Sequence, residues 1–77
     1  MRIIFSKHAL LKMNERRITE TKVIKTINEP TSKHEGYSLR VELYKRFGKR
    51  YLKVVIKNTP HNVIVVTTHW VEKISPK

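Results

Sequence analysis

The chain contains no cysteine and no aspartate, only two glycines, and a single tryptophan. Without cysteine, neither disulfides nor thiolate metal sites can hold it together, and cysteine usage says nothing about its compartment. Its four histidines show no His-x-x-x-His spacing, so no metal-binding pattern emerges. Gly36 and Gly48 stand apart, which excludes a glycine-rich loop that cradles phosphate. No segment approaches the ~20 apolar residues needed to cross a bilayer. The opening Met1-Arg2-Ile3-Ile4-Phe5 has too short an apolar run for a signal peptide. The expectation is a cytoplasmic domain with no cofactor and no membrane partner.

What the chain does have is positive charge. Seventeen Lys/Arg against six acidic residues, all of them Glu, give +11 over 77 residues. Such an excess costs stability through self-repulsion and builds a positive potential that a polyanion would neutralise, with counterion release. Nucleic acid is the first partner this suggests; the alternatives are a solubility charge or a basic face that docks on an acidic protein. A chain of this length is one domain (1–77), burying only ~60% of the surface its unfolded form exposes.

Ile3-Ile4-Phe5 reads as a short strand. Ser6 suits a helix N-cap, and Ala9, Leu10, Met13 and Arg17 share one stripe of the helix that follows. Thr19 is the next cap, with Glu20 at the positive end of the dipole. Val23, Ile24 and Ile27 give the second helix an apolar face, and Pro30 stops it. From Ser32 the period changes to two. Leu39, Val41, Leu43 and Phe47 alternate with Arg40, Glu42, Tyr44 and Arg46. Gly48-Lys49 is a II′ hairpin signature; it pairs Phe47 with Arg50, Leu43 with Val54, Val41 with Ile56, Arg46 with Tyr51, Tyr44 with Lys53, and Arg40 with Lys57. After a turn at residues 58–62, the nearly continuous apolar stretch from Val63 to Trp70 reads as a central strand. The tail from Glu72 to Lys77 is polar and expected to fray. The order is β-α-α-β-β-β, with a further short strand near His34 to Tyr37. This is an α+β fold, two helices packed on one face of a twisted antiparallel sheet.

The sheet face turned away from the helices would carry Arg40, Tyr44, Arg46, Tyr51, Lys53 and Lys57. Cations that neutralise phosphate, interleaved with rings that stack on bases, are the combination single-stranded RNA binding uses. The same residues could equally be a solvated sheet face. His69 joins this face if a five-residue loop pairs Tyr51 with His69 and Lys53 with Thr67, which sends Ile64, Val66 and Trp70 to the core. A four-residue loop would bury His69 instead. Burying Trp70 costs less, because its large ring carries a single N–H to satisfy, and this favours an open-face His69. His8, Lys12 and Arg16 form a stripe along the first helix. His34 and His61 read as surface residues.

The segment Phe5-Ser6-Lys7-His8-Ala9-Leu10-Leu11-Lys12-Met13-Asn14-Glu15-Arg16, followed by Ile18-Thr19, resembles the opening motif of the family called domain of unknown function 4258. That motif runs His-Ala-x-x-Arg-Met-x-x-Arg-Gly-Ile-Thr. Val63-Ile64-Val65-Val66-Thr67 is similar to the family's last strand. The family is grouped with RelE/ParE-like toxins. The resemblance therefore implies a RelE-like domain, metal-independent RNA cleavage, and a neutralising antitoxin, expected as an acidic protein from a neighbouring gene. His8 and Arg16 match the motif's polar positions, and Lys12 stands where Arg is common. Arg17 replaces the motif's Gly, so it must take a costly left-handed conformation or extend the helix.

Two functions follow as expectations. One is a toxin-type endoribonuclease acting on RNA, free or on the ribosome. Here His8 or His69 serves as base or acid, Arg16 and Arg40 clamp phosphate, and Tyr44 and Tyr51 stack or position protons. Lys12, Arg46, Lys53 and Lys57 would extend the nucleic-acid surface. The other is a non-catalytic RNA/DNA-binding or protein-interaction module using the same face.

Overall fold

A computed structural model describes residues 2–74. Its elements are β1 (Arg2–Phe5), α1 (Lys7–Arg16), α2 (Glu20–Asn28), β2 (Ser32–Glu35), β3 (Arg40–Phe47), β4 (Arg50–Asn58) and β5 (Asn62–Val71). One five-stranded sheet has the order β1-β5-β4-β3-β2. The further short strand exists, as β2, slightly earlier than expected. The sheet is mixed rather than antiparallel, because β1 runs parallel to β5. No hairpin joins β1 to its neighbour; the chain leaves it through two helices, so nothing imposes the antiparallel sense that tight turns impose on β2 to β5. Of the polar tail, Ser75–Lys77 lie outside the described residues.

Both helix caps form as their residues dictate. The Ser6 hydroxyl accepts from the Ala9 N–H at 3.0 Å and donates to the Val66 carbonyl at 3.3 Å, so it starts α1 and ties it to β5. The Thr19 hydroxyl accepts from the Lys22 N–H at 3.3 Å. Arg17 takes the costly option, with φ 56° and ψ 46°. Its N–H donates to the Asn14 carbonyl, and the Ile18 N–H donates to that of Met13 at 2.9 Å, closing a Schellman motif. Ile18 and Met13 are both buried there. Arg17 is exposed and outside the core stripe it was expected to share; Leu10 is exposed too.

Ala9, Met13, Ile18 and Val23 pack on Val41, Leu43, Leu52, Val54, Ile56, Val63 and Val65 to form the core. The β3–β4 register is the expected one at every pair, and Gly48 supplies the positive φ, 69°, that a II′ turn needs. Leu39 does not join the core face: it is 73% exposed. Ser38 and Leu39 have φ of 56° and 65°, and the Arg40 N–H donates to the Tyr37 carbonyl at 3.0 Å. Together they make a tight turn of the I′ kind.

The second hairpin does not take the five-residue register, with neither Tyr51–His69 nor Lys53–Thr67 paired, and it keeps the four-residue one only as far as Ile56. Asn58 pairs with Val63 across a four-residue loop, Lys57 with Ile64, and Ile56 with Val65. The next pair is Val55 with Thr67, so Val66 is an extra residue, a β-bulge. Val63 and Val65 therefore face the core while Ile64 faces the other way. The bulge then reverses the alternation. Lys53 pairs with His69 and Leu52 with Trp70, leaving His69 on the open face and Trp70 against the core. Trp70 Nε1 donates to the Arg16 carbonyl at 3.3 Å, and the Arg50 guanidinium lies 4.3 Å from its ring centre.

Candidate nucleic-acid interface

β1 pairs with β5 only from Asn62 to Val65. Beyond that point the edge of β5 would be bare, and bare edges template unwanted pairing. α1 covers it. Ser6 reaches the carbonyls of Val65 and Val66, and Arg16 Nη1 donates to the carbonyl of Thr68. The helix therefore lies along the rim of the sheet, and its His8-Lys12-Arg16 stripe borders the open face. Arg16 Nη1 also sits 3.1 Å from His69 Nδ1. Guanidinium can only donate, so Nδ1 accepts and the His69 proton resides on Nε2. Burial first, then the charges of Arg16, Lys53 and His8, lower the His69 pKa below its ordinary value. His69 is thus a neutral hydrogen-bond donor at the open face, held in one tautomer.

Across the sheet the open face forms cross-strand rows. One runs Ser32, Tyr44, Lys53, His69; the next runs His34, Glu42, Val55, Thr67. The structure gathers Arg16, His69 and Lys53 in one corner. His8 is exposed on the adjoining stripe, and Lys12 pairs with Glu15 at 3.4 Å. Arg46 and Tyr51 pair at the Gly48 end of the sheet, and Arg40 and Lys57 at the opposite end. They flank this corner instead of joining it.

Tyr44 does not offer its ring for stacking. It is 1% exposed. The His34 ring stands edge-on to it at 5.6 Å, and the Lys53 ammonium lies 5.8 Å from its centre. Burial and the Glu42 carboxylate raise its pKa, so the phenol keeps its proton. The cover comes from β2, whose Ser32 lies opposite Tyr44. His34, read from sequence as a surface residue, is half-buried and contacts Ser32 Oγ through Nε2 at 2.9 Å. Glu42 escaped notice as a site residue. The available signal was its sign, an acid within an otherwise basic strand face.

Between the β2–β3 turn and the open face lies a groove of about 380 Å³, lined by Tyr37, Ser38, Arg40, Glu42, Val55 and Thr67 among others. Among the described residues no three His, Cys, Asp or Glu side chains converge as a metal site. No described helix is long and apolar enough to cross a membrane.

The profile of the family described as Domain of unknown function (DUF4258) matches residues 5–70. The chain belongs to this family. The DUF4258 match begins at Phe5 and ends at Trp70, so it spans the α1 stripe and the β5 strand that meet at Arg16 and His69. No curated protein and no solved structure matches the chain.

Proposed function

We propose that this DUF4258 protein is a RelE-like, toxin-type endoribonuclease that cleaves RNA without a metal at the corner between α1 and β5, and that an acidic antitoxin neutralises it in the cytoplasm. The observation that carries this reading is Arg16 spanning from α1 to the Thr68 carbonyl and His69 Nδ1. It links a helix stripe bearing His8 to a sheet face bearing Lys53. In the proposed reaction His8 takes the proton of an RNA 2′-hydroxyl. The 2′-oxygen bonds to the adjacent phosphorus as the bond to the 5′-oxygen breaks, and the Lys53 ammonium gives that oxygen a proton. Arg16 and the His69 Nε2–H donate to the non-bridging oxygens, where charge accumulates. General acid and base groups contribute ~10²–10⁴-fold each. His69 is thereby a stabiliser of charge rather than the base.

Two observations favour the non-catalytic module instead. The lone pair of His69 is taken by Arg16 and the phenol of Tyr44 is buried, which removes two of the proton-transfer groups the sequence suggested. Incubating the pure protein with RNA, alone and on ribosomes, in EDTA separates the readings. The enzyme cleaves, and His8→Ala or Arg16→Ala lowers the rate by at least ~10²-fold. Intact RNA together with salt-sensitive binding leaves the module. RNA that is neither cut nor bound at low salt overturns the enzyme and the RNA-binding module, leaving a protein-interaction role for the same face.

A further inference from the structure

The groove beside the turn of β2 and β3 contains a group that phosphate binding does not explain. Glu42 is one of six acids in a chain of charge +11, and it lines a groove on the face whose cations would attract RNA. A carboxylate there repels phosphate. Its own contacts are long: the Tyr44 hydroxyl donates to Oε1 at 3.4 Å, and the Lys53 ammonium stands 3.8 Å from Oε2. Both are longer than the short charge-assisted bonds near 2.5–2.9 Å, and with about four acceptor sites on a carboxylate each oxygen keeps room for a further donor. An ionised carboxylate only accepts, and it accepts at two points. It therefore suits a ligand edge that presents two adjacent donors.

We infer that the groove is a nucleobase pocket selective for guanine, with Glu42 as the residue that reads the base; this rests on the RNA-binding reading above. Guanine alone among the four RNA bases places two donors side by side, N1–H and the N2 amino group, matching the two carboxylate oxygens. Adenine and cytosine offer one amino group beside an acceptor nitrogen, and uracil offers one N–H between two acceptors. Arg40, at the same groove, supplies a donor for the neighbouring O6. Val55 offers an apolar floor, and Tyr37, 84% exposed, brings a ring to the rim for the π-face of a base. Thr67 in the groove precedes His69 by two residues, about 7 Å along the strand. The groove thus adjoins the Arg16–His69 corner, so one RNA strand can place a base in the first and a phosphate at the second. The groove wall is held in shape: the turn keeps Ser38 and Leu39 at positive φ, and the Gly36 N–H donates to the Arg40 carbonyl at 2.8 Å. Such strained backbone persists where its surroundings fix it, and it clusters at ligand clamps.

Fluorescence anisotropy at low salt tests this with five-nucleotide RNAs, 2′-O-methylated so that no cleavage intervenes. The central base of a uridine run is guanine, inosine, adenine, cytosine or uracil. The guanine RNA should bind about tenfold more tightly than the adenine, cytosine and uracil ones, within the range of a good bidentate contact. Inosine, which lacks the N2 amino group, should lose most of that advantage. Glu42→Gln should bring all five RNAs within about twofold of one another while affinity for the all-uridine RNA is kept or raised. Equal wild-type binding of all five overturns the guanine pocket and leaves the RNA-binding reading standing. A guanine advantage that persists in Glu42→Gln, or in inosine, overturns the carboxylate contact. No binding of any RNA overturns both this inference and the reading it rests on.

Discussion

At the scale of single residues, His69 is the group whose chemistry the fold most alters. Its lone pair is engaged by a cation, and burial together with the neighbouring Arg16 and Lys53 charges disfavours its charged form. An unfolded histidine titrates near 6.5. Between that pH and the lowered native value, the unfolded state binds more protons at this site, so stability falls as pH falls and levels off once both states are protonated. Urea unfolding of wild type and His69→Gln at pH 7 and pH 5 should show the wild type losing more stability than the variant. Equal losses would contradict the assigned pairing. The open-face position of His69 was legible from the sequence because Trp70 beside it demanded burial. The burial of Tyr44 was not: nothing in its alternation distinguishes it from Arg46, and its cover comes from a strand read only faintly near His34.

At the scale of elements, the β3–β4 hairpin was fully legible, since Gly48 fixes the turn and a one-residue slip would invert both faces. The β4–β5 register was not. A run of Val63 to Thr67 has no polar alternation to mark the bulge at Val66, and two wrong registers each satisfy part of it. The placement of α1 along the β5 edge also lay beyond the sequence, because it depends on β1 ending at Phe5 and leaving carbonyls for Ser6 and Arg16 to reach. The corner between α1 and α2 was foreseen as a cost. A left-handed conformation costs a non-glycine residue about 1–2 kcal/mol, and Arg17 holds one at the helix end. Arg17→Gly should therefore stabilise the protein by about 0.5–1 kcal/mol after the greater freedom of unfolded glycine is counted. Thermal unfolding would show this as a rise of a few degrees. A fall would mean that the Arg17 side chain contributes more than its backbone costs.

At the scale of the whole molecule, the helices occupy one sheet face and the rim, while Arg40, Arg46, Lys53 and Lys57 lie on the other face, with Arg16 and His69 at its corner. The α+β class, the two helices and the side on which they pack were readable from periodicity and caps. The parallel β1 was not, because no turn specifies its direction. On the proposed reading, RNA occupies this open face, with phosphate at Arg16, Lys53 and His69. Amide chemical-shift mapping by NMR during titration with a short, cleavage-resistant single-stranded RNA tests it most directly. Salt-sensitive shifts should concentrate at His8, Arg16, Lys53, Thr67 and His69, with the buried helix-facing residues Leu52 and Val54 unmoved. Shifts confined to α2, or none at low salt, would contradict it.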